Sequence, residues 1–571
     1  MRPTTVALIV AVASLTLMAS APSPSWTVTA DRNGGSKCAV CTLLVALVEQ
    51  TMQIKNATAS QAAQMICSYL PKLAGDACSI AMDILVPIVG PLIDQGDTAD
   101  AVCNALHLCN NESGQTCRLF PAKGAYKSHD AWAKHVNDLR VATMMRHRAK
   151  IEQGLRSFNI CTIVPAVCEI EDHRPFFDTD SDMFSTYDAL RGSFWRGKDC
   201  DDLDAQIFPG RDTNDAFLDS NCNGIYGVDP STQKTYEDQW CAGTGSMGVA
   251  SLGDSATAHF RLPADYLIAR GLSKDVFKNV LRLIENEADW PMLSWSTGHL
   301  DASQFSPDVK GPMSSIYHRM LERNRCNMRD FQNVGVNGAS VHNLLPFEGV
   351  LARNRNAGLS LKPIFVVMSM IGNDVCGHHH DFNEMTTVEQ YHKDVLAAVK
   401  NADAMLPNGS HVLLVPLVDG RVLYDTMHDR IHPIGSTNND VTYADLYDYL
   451  NCLDISPCWG WMNSNETVRN MTTEHAMKLG AELPIIVQET QGQLTNIKVH
   501  FLGNLIDDGL KRYHGPMWHL IEPVDGFHPS QTGNALLGDF VFNKSRDAGI
   551  IPPANPNNAE IIAKFGDQGG Y

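Results

Sequence analysis

Apolar positions along this chain repeat with two different periods, and the change from one to the other divides it. Between residues 34 and 113 the spacing is helical: Cys38, Cys41, Leu44, Val45 and Val48 recur at steps of three and four, and so do Ile80, Ile84, Ile88 and Leu92. Pro87 and Pro91 lie inside the second run and predict a kink or break there. From residue 246 onward, short and nearly continuous apolar runs take over. Met247 to Leu252 and Ile364 to Met370 have the pattern of strands buried on both faces. Between the two regimes, residues 114–170 read as a connector and 171–245 as an acidic, asparagine-rich segment. Ahead of everything, Arg2 precedes an apolar run from Val6 to Leu17, and Ala19-Ser20-Ala21 follows it, predicting a signal peptide over residues 1–21. That run is shorter than the ~20 residues a membrane span needs, and no later run is expected to span.

Composition narrows the class. At 44% hydrophobic and 19% charged the chain is ordinary globular protein, and a net charge of −19 argues against a nucleic-acid binder, whose affinity rests on basic residues meeting phosphates. Sixteen cysteines fit a disulfide-bonded protein made in an oxidising compartment. Sequons at Asn56, Asn111, Asn408, Asn465, Asn470 and Asn543 agree with that route. The mature chain is expected to be secreted, or held in a lysosomal or vesicular compartment, and glycosylated.

Six of the cysteines punctuate the helical region as C-x2-C-x25-C-x10-C-x24-C-x5-C, at 38, 41, 67, 78, 103 and 109. A helical unit of about 75 residues has little core, so three bridges are a reasonable staple. Six cysteines allow 15 connectivities, and spacing alone does not choose among them. The pattern resembles the saposin B-type domain. That resemblance implies nested bridges Cys38–Cys109, Cys41–Cys103 and Cys67–Cys78 and a lipid-handling helical module; a purely structural or chaperoning role is the alternative.

The acidic segment has its own logic. Asp178, Asp180 and Asp182 alternate; then come Asp199, Asp201, Asp202 and Asp204, and after them Asp219, Asn221, Asn223 and Ile225. Alternating carboxylates and amides let a loop turn several oxygens onto one hard cation, with Gly224 supplying the turn and Ile225 a carbonyl. The pattern resembles the D-x-D-x-D loops of thrombospondin type 3 repeats and predicts structural Ca2+. It departs from an EF-hand, since Pro230 stands at the twelfth position and only Asp229 lies nearby. Cys200 and Cys222 sit inside two clusters and are placed to clip them together, and Cys161 and Cys168 are close enough for a local bridge. In the connector, Arg146, His147, Arg148 and Lys150 read either as a processing site or as a solvated helix face.

Candidate chemistry lies in four blocks of the last region. Gly253-Asp254-Ser255 follows the first strand; Asn333 to Ser340 is a small-residue loop containing Gly338; Gly372-Asn373-Asp374 follows the strand from Ile364; and Asp525 stands three residues before His528. A serine needs a base to take its proton, an imidazole needs a carboxylate to orient it, and a tetrahedral oxyanion needs preset donors. Ser255, His528 and Asp525 answer the first two needs; the Ser255 and Gly338 N–H groups and the Asn373 amide answer the third. No G-x-S-x-G occurs, so the α/β-hydrolase elbow is absent. His378-His379-His380 has no partner ligands in sequence and reads as an exposed loop. Gly192 to Lys198 is followed by Asp199 where a P-loop needs Ser or Thr. His259, four residues past Ser255, is expected on the same face of a following helix, touching substrate or packing.

The four blocks, in this order over residues 247–540, resemble the SGNH or GDSL-type hydrolases. The resemblance implies an α/β fold with a doubly wound parallel sheet over residues 246–571, joined to the N-terminal all-α module and the calcium-binding segment. Module, acidic segment and hydrolase together, with Gly253-Asp254-Ser255-Ala256-x-Ala258-His259-Phe260 and Glu522 to Pro529, resemble the acyloxyacyl hydrolase family. That implies a lipase removing secondary acyl chains from the lipid A of lipopolysaccharide, with activity on phospholipid. It also implies processing into disulfide-linked small and large subunits, with Cys117 facing a partner such as Cys452, and with Cys241, Cys326, Cys376 and Cys458 bridged inside the large one. The alternatives are a secreted phospholipase on the same scaffold and a non-catalytic lipopolysaccharide-binding protein.

Overall fold

A computed structural model describes residues 32–109, 116–121, 129–156, 173–376 and 380–571. The signal segment, Asn111, Cys161, Cys168, His378 and His379 fall outside the described residues.

The N-terminal module is four helices, Gly35–Lys55, Ala59–Tyr69, Lys72–Asp94 and Ala99–Ala105. Cys38 is bonded to Cys109, Cys41 to Cys103 and Cys67 to Cys78. Thr58 caps the second helix through a reciprocal pair with Gln61. The expected break at Pro87 and Pro91 does not occur: Lys72–Asp94 is one helix with both prolines inside it. Each proline deletes one backbone bond. Asp83, Pro87, Pro91 and Asp94 form the exposed side of the helix, so the carbonyls released at Asp83 and Pro87 lie where water reaches them. Gly35–Lys55 and Ala74–Asp94 are each long and apolar enough to cross a membrane, though two-thirds of the first is buried within the protein. The Cys41–Cys103 bond ties that helix to Ala99–Ala105, and its side chains fill the module's core. The basic cluster at 146–150 lies on the helix His129–Arg156.

The hydrolase region is built on five parallel strands, β1 (Gly248–Gly253), β2 (Phe331–Gly335), β3 (Ile364–Ser369), β4 (Ser410–Leu414) and β5 (Ile497–Phe501), in the order β2-β1-β3-β4-β5. Strands β1, β2 and β3 are buried along their whole length, which explains their unbroken apolar runs. Alternate residues serve opposite faces: Ile364, Val366 and Met368 join one core, Phe365 and Val367 the other. The first core continues without interruption into the module through Cys38, Leu43 and Leu47. Helices such as Val388–Met405 and Gln531–Asp547 cover the sheet. The result is the α/β, doubly wound arrangement expected.

The module is also fastened to the hydrolase covalently. Cys117 is bonded to Cys452, and Cys241–Cys326 and Cys376–Cys458 brace the hydrolase region. Asp100, fully buried, accepts the N–H groups of Leu119 and Phe120 and so seats the segment carrying Cys117.

Candidate active site

Strand order places the site. In this sheet the chain reverses direction of travel between β1's two neighbours, and ligands of such sheets collect beyond the carboxyl ends at that switch. Gly253 is in register with Gly335 of β2 and Ser369 of β3, so three loops leave the sheet side by side. They carry Ser255, Gly338 and Asn373.

Ser255 opens a four-residue helix, Ser255–Ala258, whose N-cap is Asp254. Asp254 is buried and bridges two loops: one oxygen accepts Ala256 N–H at 3.0 Å, the other Ile371 N–H at 2.9 Å. Burial raises its pKa to about 6. Gly253 is required here, since a Cβ would lie 2.1 Å from Thr257 Oγ1.

Asp525 and His528 come from the turn before the helix Gln531–Asp547. Ser255 Oγ lies 2.7 Å from His528 Nε2, and His528 Nδ1 lies 2.5 Å from Asp525 Oδ2. The other Asp525 oxygen accepts the N–H groups of Phe527 (2.7 Å) and His528 (3.1 Å), which fixes the carboxylate against its own turn. The rings of Phe260 and Phe527 flank the imidazole at 4.7 and 4.9 Å between centroids. A hydroxyl hydrogen-bonded to an imidazole that is itself held by a carboxylate is an arrangement able to perform nucleophilic acyl transfer.

As the first residue of its helix, Ser255 presents an N–H with no intrahelical acceptor. Asn373 lines the same cleft as Ser255 and His528, its amide donating to Ala339 O at 2.9 Å. Gly338, with φ of +80°, sits one residue before that carbonyl, next to the cleft rather than among the residues lining it. Asp374 holds the two loops together by accepting Val341 N–H and Thr386 Oγ1–H, and burial raises its pKa to about 7.

The cleft has a cavity volume of about 110 Å³ and is walled by Ile371, Val418, Leu423, Trp461, Leu510 and Leu537. Its lining suits a hydrocarbon chain. His259 does not share a helix face with Ser255. The helix ends at Ala258, and His259, at φ +63°, turns its buried ring away to Trp290 O; burial lowers its pKa to about 3. His380 stacks on Trp459 at 5.3 Å.

The acidic segment gathers some of its residues and not others. Oxygens of Asp178, Asp180 and Asp202 converge, as do those of Asp180, Asp182 and Asp199. Asp180, Asp182 and Asp199 each keep a buried oxygen with no hydrogen-bond partner among the described residues. Burial, reinforced by the neighbouring aspartates, raises Asp182 to about 8 and Asp199 to about 6. Asp201 and Asp204 stand apart from these groups, and Asp204 Oδ1 caps Gln206 N–H. In the second loop Asp219 accepts the N–H groups of Asn223 and Gly224, and Ile225 is buried. Cys200 is bonded to Cys222, clipping the two loops. Glu237, which the sequence reading passed over, is the carboxylate brought to this loop: its Oε1 lies 2.7 Å from Asn221 Nδ2 and also accepts Asn223 Nδ2. Asp229 is half-buried and instead accepts Ser231 N–H. Unpaired buried carboxylate oxygens beside one another are a donor set that fits a hard divalent cation.

Residues 37–168 match the saposin-like domain family and residues 249–541 the GDSL-like lipase/acylhydrolase family. The chain is 38% identical over 558 residues to an acyloxyacyl hydrolase of Homo sapiens, covering 94% of each, and 38% identical over 553 residues to one of Mus musculus, again covering 94% of each. Among solved structures, a mutant acetylxylan esterase Axe2 from Geobacillus stearothermophilus is similar at 13% identity and a TM-score of 0.27, over 52% of this chain and 94% of that one. A putative GDSL-like lipase from Parabacteroides merdae gives 14% and 0.25, over 54% and 97%. At 38% identity over 94% of its length, the chain belongs to the acyloxyacyl hydrolase family and is an ester hydrolase that joins a saposin-like module to a GDSL-type lipase domain.

Proposed function

We propose that this protein removes secondary, acyloxy-linked fatty acyl chains from the lipid A of bacterial lipopolysaccharide. The observation that carries the reading is an apolar cleft opening on Ser255 in a chain related over 94% of its length to acyloxyacyl hydrolases. Ser255 attacks the ester carbonyl while His528 takes its proton; Asp525 orients the imidazole and stabilises its charged form. The Ser255 N–H, the Gly338 N–H and the Asn373 amide receive the oxyanion. His528 then protonates the leaving alkoxide, and a water activated by the same pair hydrolyses the acyl-enzyme.

The saposin-like module shields chains drawn from a micelle or membrane. Structural Ca2+ is held by Asp178, Asp180, Asp182, Asp199 and Asp202, and by Asp219, Asn221, Asn223, Glu237 and the Ile225 carbonyl; it supplies charge balance to loops otherwise crowded with carboxylates. The protein travels the secretory pathway, and cleavage in the connector leaves two subunits joined through Cys117–Cys452.

The deciding experiment is fatty-acid release from lipopolysaccharide and from phospholipid vesicles, with Ser255→Ala as control. Release of secondary chains only, abolished by Ser255→Ala, is expected. Release from phospholipid alone reassigns the substrate, and appreciable activity in Ser255→Ala removes the nucleophile.

A further inference from the structure

The turn carrying Asp525 and His528 is not self-supporting. It closes on itself through Glu522, whose N–H donates to His528 O at 2.7 Å and whose buried carboxylate accepts the N–H groups of Val524 (2.7 Å) and Asp525 (2.9 Å). Three carbonyls of the turn are then left facing outward, and each is taken by a side chain from residues 432–447. Tyr443 OH donates to Pro523 O at 2.5 Å, His432 Nε2 to Val524 O at 2.7 Å, and Tyr447 OH to Gly526 O at 2.8 Å. His432 Nδ1 accepts Ile434 N–H, so Nε2 carries the proton. Contact is close as well as polar. Gly526 has φ of +65°, and a Cβ there would sit 2.4 Å from the Tyr447 hydroxyl.

Tyr443 and Tyr447 stand four apart on the helix Tyr443–Cys452 and share one face. Its other side meets the module. Tyr449 OH donates to Thr42 Oγ1 at 2.8 Å and lies 3.3 Å from Cys38 Sγ. Gln50 Nε2 donates to Ile434 O at 2.6 Å, two residues beyond His432. At the helix end, Cys452 is bonded to Cys117 and its carbonyl accepts Asn33 Nδ2. Ala39 and Leu43 of the module share one small cavity with Leu446, Tyr449, Val524 and Asp525.

We propose that the helix Tyr443–Cys452 is a strut between the module and the catalytic turn, that Tyr447, Tyr443 and His432 are positioning residues for Asp525 and His528, and that the module, by seating the strut, supports ester cleavage even on substrates too small to reach it. The proposal rests on the Ser255–His528–Asp525 assignment above. A buried carbonyl stripped of its donor relaxes toward a new partner, and displacement of a reacting group by about 1 Å can cost ~100-fold in rate.

The test uses the full-length, disulfide-intact protein and p-nitrophenyl butyrate, a soluble ester that needs no lipid presentation. Tyr447→Phe deletes one hydroxyl; kcat is expected to fall about 10-fold or more with KM within twofold, while Tm stays within a few degrees. Thr42→Val with Tyr449→Phe, on the module side, is expected to lower kcat about threefold with the same unchanged KM. Should Tyr447→Phe fail to fold, His432→Ala and His432→Gln read the same quantity: glutamine keeps an N–H donor and retains most of kcat, alanine does not. A folded Tyr447→Phe, or a folded His432→Ala, with parental kcat overturns the positioning role. Parental kcat in the Thr42/Tyr449 double variant overturns the module's part. Activity surviving in Ser255→Ala would instead fault the triad assignment, so the two failures are separable.

Discussion

Several carboxyl groups in this protein are buried without a direct ion pair to Lys or Arg among the described residues, and their energetics differ by what else meets them. Glu348 is the plainest case. It is almost inaccessible, accepts one bond from Asn401 Nδ2 at 2.6 Å, and its other oxygen has no partner among the described residues. Burial raises its pKa to about 8. The unfolded carboxyl loses its proton near 4.5, so from there to about 8 the folded state binds more protons and stability falls as pH rises. Glu348→Gln removes that loss. Its melting temperature should match the parent's near pH 4 and exceed it by several degrees at pH 8, measured by calorimetry; a constant difference across that range would refute the assignment. Glu522 is raised in the same direction by burial and by Asp525 beside it, with Arg261 opposing. Its carboxylate is nonetheless committed to two N–H groups of the catalytic turn.

At the scale of elements, what could be read from sequence depended on whether a residue's partners were local. Ser255, Asn373, Asp525 and His528 stand directly at strand ends or before a helix, so order along the chain was enough to single them out. His432, Tyr443 and Tyr447 belong to no motif; they matter only because the fold lays residues 432–447 against residues 522–528, which no periodicity reveals. Pro87 and Pro91 do not break their helix for the opposite reason: propensity does not register that both fall on the wet side of a helix held by the Cys67–Cys78 bond. Glu237 was missed because its carboxylate returns to Asn221 and Asn223 from a separate short helix, Tyr236–Trp240. If those loops hold Ca2+, EDTA should lower Tm by about 10 degrees and added Ca2+ restore it, since a bound ligand stabilises by mass action. Glu237→Ala should shrink that calcium response. An EDTA-insensitive Tm would remove the metal from the account.

For the whole molecule, the junction between module and hydrolase is a continuous core with a disulfide across it, unlike a domain hung on a linker. A break in the chain between residues 122 and 172 should therefore leave one particle. On non-reducing gels such a protein should run as a single band near the uncut mass, and reduction should resolve two; two bands without reductant would refute the tether.

The Cys117–Cys452 bond then has a meaning in terms of dilution. Two pieces joined by a short tether see each other at an effective concentration of order mM, whatever the concentration of the protein itself. A cut enzyme that keeps the bond should have the same specific activity in a concentrated vesicle and after dispersal into a large fluid volume. The same enzyme with that bond reduced becomes an ordinary association equilibrium, and its activity should fade as it spreads. One cystine, placed at the end of the helix that touches the catalytic turn, separates an enzyme that works wherever it is carried from one that works only where it is crowded.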